Sequence, residues 1–137
     1  MTSPHPEVCV GAVVVRDGAL LLVRRGRGVG VGMWSIPGGR VELAETLEEA
    51  LRRELAEEVA LAALEVRHLG HVERIGSGWH FVIHNFLVSV DPVSQATPGD
   101  DAAEVRWVPL RGVWAVRGLV PGLVDFLVQH GVLSPAP

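Results

Sequence analysis

Residues 8–15, Val-Cys-Val-Gly-Ala-Val-Val-Val, are apolar at every position. A run that short and that rich in β-branched residues predicts a strand buried on both faces. Arg16-Asp17-Gly18 is a turn signal, and Ala19–Arg25 predicts a second strand paired to the first. The period changes after Thr46. Leu47, Leu51, Leu55 and Val59 recur every fourth residue with Ala50 beside them, which is one apolar stripe of a helix. Thr46 followed by Glu49 is a capping box, and it starts the helix at about Leu47. Strand patterns return in Leu64–Arg74 and Trp79–Val90, on either side of a turn over Ile75–Gly78. In the second, Phe81, Ile83 and Leu87 share one face, and His80, Val82, His84, Phe86 and Val88 the other. A His80–His84 pair can hold a transition metal, but no third ligand stands at a recognisable spacing, so both read as polar residues of the core or rim. Asp91–Ala103 is a polar loop with two prolines. Glu104–Leu110 predicts a short strand around Trp107. Val120–His130 predicts an amphipathic helix with Leu123, Val124 and Leu127 inward and Gly131 as its stop. Strands before and after a central helix, with a helix at the end, predict an α/β fold with a mixed β-sheet between helices. No repeat or long linker divides residues 1–137, which read as a single domain. Its ends, 1–7 and 134–137, read as flexible tails.

Composition narrows the class. A length of 137 residues supports one substantial core. Apolar content of 48% and a net charge of −4 fit a soluble globular protein. The acidic balance argues against specific nucleic-acid binding, which usually shows a basic face. No apolar run reaches the ~18–20 residues of a membrane helix, and Met1–Glu7 is no signal peptide. The single Cys9 rules out an internal disulfide and fits a cytoplasmic chain, where it reads as a small buried apolar residue. All 12 cationic residues are arginine, which reads as compositional bias.

The central helix carries the candidate chemistry. Glu48 to Arg52 and Glu49 to Arg53 are i,i+4 pairs in the favourable order, worth about 0.2–0.5 kcal/mol each. Glu54, Glu57 and Glu58 instead lie near the C-terminal end, where the helix dipole prefers cations. At about 100° per residue they fall within a wedge of roughly 100°. Three acids on one face at that end call for a hard divalent ion such as Mg²⁺ or Mn²⁺. Without one they would be a solvated, salt-bridged face. Before the helix, Pro37-Gly38-Gly39 cannot continue a strand and leads into a short loop.

The spacing is specific. Gly39, five residues, Glu45, seven residues, then Arg53-Glu54-Leu55-Ala56-Glu57-Glu58-Val59-Ala60-Leu61 closely resembles the Nudix box. The departure is Ala60, where the family has glycine. Glycine there would suit a left-handed helix cap, and alanine costs about 1–2 kcal/mol if that geometry is kept. The entry Trp34-Ser35-Ile36-Pro37-Gly38-Gly39 also resembles the family. The resemblance implies a Nudix-type α/β/α sandwich and hydrolysis of a nucleoside diphosphate linked to another moiety, by water attack on phosphorus with divalent metal. It implies Glu54, Glu57 and Glu58 as metal ligands, with the Gly38 carbonyl as a further one. It implies that Glu45 pairs with Arg53 to orient the box, in competition with the Glu49–Arg53 pair. A further carboxylate is expected from the loop before the last strand: Asp101, with Asp100 and Glu104 as alternatives. The general base is Glu54 or Glu58 inside the box, or Asp101 outside it.

Substrate contacts are less marked. Arg24–Gly32 is either a flexible connector or a loop that brings Arg25 or Arg27 to phosphate oxygens. It is not a P-loop, since GK[ST] is absent. Trp79, Phe81 or Phe86 would stack on a base, or lie in the core. Residues Gly78–Phe86 resemble the corresponding strand of ADP-ribose-hydrolysing relatives, which makes ADP-ribose the leading small-molecule substrate. Sanitation of nucleoside triphosphates, oxidised ones included, is the alternative. A non-catalytic nucleotide-binding module is the other class. Such regulators generally add a DNA-binding domain, for which this chain has no room, and every box carboxylate is present here. An exposed apolar strand edge would support a homodimer, as is common in the family.

Overall fold

The computed structural model describes residues 5–136. Its strands are β1 (Glu7–Arg16), β2 (Ala19–Arg25), β3 (Trp34–Ser35), β4 (Gly38–Arg40), β5 (Ala63–Gly76), β6 (Trp79–Val90) and β7 (Ala102–Pro109). The helices are α1 (Leu47–Val59) and α2 (Leu123–Gln129), with a 3₁₀ turn at Leu110–Ala115. Among the described residues the strands form one mixed sheet in the order β3-β2-β1-β6-β5, with β4 added to β1 and β7 to β2.

The apolar run of β1 has a plain cause. Val10, Ala12 and Val14 point to one side, where they join Leu21 and Val23 of β2 and Leu51, Leu55 and Val59 of α1. Val13 points to the other side, with Leu20, Leu22 and with Leu123, Phe126 and Leu127 of α2. A strand covered by a helix on each face has no solvent side, so alternation disappears. β1 runs parallel to β6 from Glu7↔Phe81 to Val14↔Val88, and antiparallel to β4 at Gly11↔Gly38 and to β2 at Val15↔Leu20.

Helix α1 follows its sequence signals. Glu49 N–H donates to Thr46 Oγ1 at 3.1 Å, and Thr46 N–H donates to Glu49 Oε1 at 2.9 Å, so both halves of the capping box form. Ala50, Leu51, Leu55 and Val59 are buried, and Leu47 packs at the margin of the same cluster. Ala60 caps the helix in the left-handed region, at φ 60° and ψ 34°, with its N–H donating to Ala56 O at 3.0 Å.

Several expectations are corrected. Gly38 and Gly39 do continue as strand, pairing with Gly11 and Val10. Their backbone is ordinary, and glycine is needed for close approach rather than for unusual angles. β6 has the expected bounds, whereas β5 extends to Ala63–Gly76 and leaves Ser77-Gly78 as the turn between Gly76↔Trp79. Helix α2 starts at Leu123 because Gly122 takes φ 85° and the Val120 N–H is drawn to Trp34 O at 2.9 Å. At the N-terminus Glu7 already belongs to β1, while residues 1–4 and 137 of the expected tails lie outside the described residues. His80 and His84 find partners on β5 rather than each other: Glu73 at 3.2 Å and His68 at 3.0 Å.

The strain at Ala60 is testable. Ala60→Gly should raise stability by up to about 1 kcal/mol, or about 3–4 °C in Tm, in urea or thermal unfolding. A large drop would mean that the turn is held by something other than its backbone angles.

Candidate active site

The Nudix-like box folds around one guanidinium. Arg53 Nε donates to Glu45 Oε2 at 2.6 Å and Nη2 to Glu45 Oε1 at 2.9 Å, a two-pronged pair. Nη1 donates to Glu54 Oε1 at 2.7 Å and to Glu57 Oε2 at 3.2 Å, and Nη2 also reaches Arg40 O at 3.0 Å. The arrangement settles the competition in favour of Glu45, since the Glu49 carboxylate is spent on the capping box. The hydrogen bonds from Arg53 hold the Glu45 carboxyl down to about 2. Glu48 and Arg52 form their ion pair at 3.2 Å on the solvent side.

Two of the three C-terminal acids are pressed against backbone. Gly38 N–H donates to Glu58 Oε2 at 3.1 Å. A Cβ on Gly39 would lie 2.4 Å from the Glu54 carboxyl carbon, so only glycine admits that carboxylate. Burial raises Glu58 to about 7, the Gly38 N–H and Arg25 opposing it. Burial also raises Glu54, against the pull of Arg53. Glu57 differs: it is exposed and leans on Arg53. As they stand, no three acidic, histidine or cysteine side chains among the described residues converge on one point.

Glu54 and Glu58 open onto a cavity of about 970 Å³, within the range of small-molecule sites. Arg25, Arg27 and Asp101 also line it. The Nε of Arg25 is buried and without a hydrogen-bond partner, while Arg27 is ion-paired with Asp101. The glycine-rich loop is therefore folded rather than slack. Gly28, Gly30 and Gly32 take positive φ, and Gly26 N–H ties it to Asp101 O at 2.9 Å. Of the three acids proposed for the loop before β7, Asp101 faces the cavity, whereas Glu104 is taken by Arg24 and Arg106 along the sheet.

The aromatic residues divide between the two readings. Phe86 is buried in the cluster beneath α1, on the face of β6 away from the cavity. Trp79 stacks on Phe81 with ring centroids 5.2 Å apart, beyond the cavity lining. Phe81 itself lines the cavity, with Ile36, Ile83, Leu123 and Phe126. Sequence reasoning passed over Asn85, a buried polar residue on the same wall. Its signal was present, since it interrupts the apolar face made by Phe81, Ile83 and Leu87.

Comparison with known proteins agrees with this arrangement. The NUDIX domain family model matches residues 5–127. The ADP-ribose pyrophosphatase of Methanocaldococcus jannaschii is 33% identical over 112 residues, covering 80% of this chain and 65% of that protein. The oxidized purine nucleoside triphosphate hydrolase of Danio rerio is 33% identical over 110 residues, covering 75% of this chain and 69% of that one. The chain thus spans about two thirds of the length of these two relatives. Among solved structures, the MutT NUDIX hydrolase from Burkholderia pseudomallei superposes with a TM-score of 0.82 at 29% identity, covering 91% of this chain and 98% of the other. With the family's pattern matched over nearly the whole described length, its sheet reproduced and its box folded around Arg53, the chain belongs to the Nudix hydrolase family.

Proposed function

We propose that the protein is a divalent-metal-dependent pyrophosphohydrolase that cleaves a nucleoside diphosphate linked to a second moiety, ADP-ribose foremost. One observation carries this reading: two carboxylates, Glu58 buried and Glu54 partly so, stand against glycine backbone on the wall of a cavity of about 970 Å³. Acids in that position repel a polyanionic pyrophosphate unless cations intervene.

The residues fit such a cation. Glu54 and Glu58 offer hard oxygen donors, and burial makes their ionised forms costly without a counter-charge. Mg²⁺ or Mn²⁺ would be held by Glu54, Glu57 and Glu58, with the Gly38 carbonyl and Asp101 as further oxygens. Bound there, the ion supplies charge neutralisation for the phosphoryl oxygens and activates water. The chain's own groups do the rest. Arg53, clamped by Glu45, holds Glu54 in place. Arg25, with an unpartnered buried Nε, and Arg27 bind phosphate oxygens. Water attacks one phosphorus, the bridging P–O bond breaks, and ADP-ribose yields AMP and ribose 5-phosphate. The water's proton goes to a box carboxylate, Glu54 or Glu58, or to Asp101 on the loop before β7. ADP-ribose is favoured by the name of the Methanocaldococcus relative. The name of the Danio relative supports the second reading, hydrolysis of oxidised purine nucleoside triphosphates. A panel of ADP-ribose, nucleotide sugars, dinucleoside polyphosphates and normal and oxidised deoxynucleoside triphosphates separates the two by kcat/KM.

The site generates three predictions. Glu57→Gln and Glu58→Gln should each lower kcat by more than about tenfold while circular dichroism stays native. Near-normal turnover in Mg²⁺ would remove that residue from the ligand set. Excess EDTA should abolish hydrolysis, and added Mg²⁺ or Mn²⁺ should restore it; activity that survives chelation sinks the metal requirement. The third concerns pH. Folding raises Glu58 from 4.5 to about 7, so the folded state binds more protons across that window than the unfolded chain. Its contribution is present below 4.5 and lost as pH rises through about 7. Metal-free protein should lose stability over that range in urea unfolding, and Glu58→Gln should flatten the loss. Equal slopes in both proteins would contradict it.

A further inference from the structure

Besides the box residues, the cavity is lined by Ile36, Phe81, Ile83, Leu123 and Phe126. Asn85 lies on this apolar wall, 4% exposed, and its Oδ1 is buried without a hydrogen-bond partner. Long-range pairing places it there, because Asn85 sits opposite Gly11 of β1 in the parallel pair. A Cβ on Gly11 would lie 2.2 Å from Asn85 Oδ1 and 3.0 Å from Ile36 Cδ1. Glycine at that position is therefore what lets the amide lie flat on the cavity wall. A buried polar atom left unpaired weakens the fold, and leucine, of nearly the same shape, would avoid that. Its two neighbours on that face of β6, Ile83 and Leu87, are apolar. Among the described residues nothing bonds the Asn85 Oδ1.

We propose that Asn85 reads the base of the bound nucleotide, and that the base it takes is adenine; this rests on reading the cavity as a nucleotide site. A side-chain amide presents one acceptor beside one donor. Adenine offers the matching pair, its N6 amino group donating and N7 accepting. Unmodified guanine shows two acceptors, O6 and N7, on the same edge, so the Asn85 carbonyl would face a lone pair. Apolar side chains, Ile36 and Ile83 among them, line the cavity around Asn85 and suit the faces of a purine.

Binding tests this without turnover. Calorimetry in Mg²⁺ compares AMP with GMP on the wild-type protein and on Asn85→Leu. The wild type should prefer AMP by tenfold or more, as expected for one two-point contact. Asn85→Leu should bring the two within about threefold, with a melting temperature equal to or above that of the wild type. Gly11→Ala, which drives the amide off the wall while keeping it, should erode the preference in the same direction. A wild type with no preference for AMP, or an Asn85→Leu protein that keeps it, overturns the assignment. If the protein binds AMP through Asn85 yet hydrolyses no pyrophosphate, the proposed activity fails and this assignment stands. If it hydrolyses ADP-ribose while Asn85→Leu selects AMP as before, the reverse holds.

Discussion

Between helix α1 and strand β4 there is no space for a side chain. A Cβ on Gly39 would overlap the Glu54 carboxylate, and one on Gly38 would come within 2.1 Å of Val10 O. This closeness keeps water from Glu54 and Glu58 and leaves backbone and Arg53 as their immediate company. The burial that raises both acids is a consequence of packing, not of any property of glutamate. A helix end already poor for negative charge is thereby made poorer. The molecule accepts that locally unfavourable arrangement where the proposed chemistry needs it, and the rest of α1 offsets it.

That offset is distributed. The capping box fixes the first turn of α1, the stripe from Ala50 to Val59 seals one face, and the left-handed turn at Ala60 redirects the chain into Leu61, itself buried. Arg53 gathers Glu45, Glu54 and Glu57 around one planar cation and also bonds Arg40 O. Partial burial makes these pairs more than surface decoration, because each carboxylate removed would leave the guanidinium less well satisfied.

The sheet separates two cores. Alternate residues of β1 and β2 feed the core under α1 and the core under α2. The acidic box stands on the α1 side. Phe81, Ile83 and Phe126 line the same cavity, and Phe126 belongs to the core under α2. Gly11 of β1 lies between Gly38 at the entry to the box and Asn85 of β6.

Local signals made much of this legible. The α1 boundaries, the capping box, the two-faced β1 and the strained Ala60 all depend on residues within a few positions of one another, and each was readable from Thr46, Glu49, the Leu47–Val59 stripe and the run at 8–15. Two-residue alternation also separated Phe81 from Phe86, but it could not say which of those faces met solvent, core or ligand. That depended on where α2 packed, which sent Phe86 inward and Phe81 to the cavity. The parallel pairing of β1 with β6 brought Gly11 against Asn85 across a long loop of chain, and the approach of α1 to β4 left Glu58 buried and Glu54 partly so. Sequence alone determined the long elements and the acids that α1 carries, because those are near-neighbour effects; the short strand β4 and the start of α2 depended on distant partners. Tertiary structure decided burial, partners and the cavity, because these arise only when distant segments exclude water from one another.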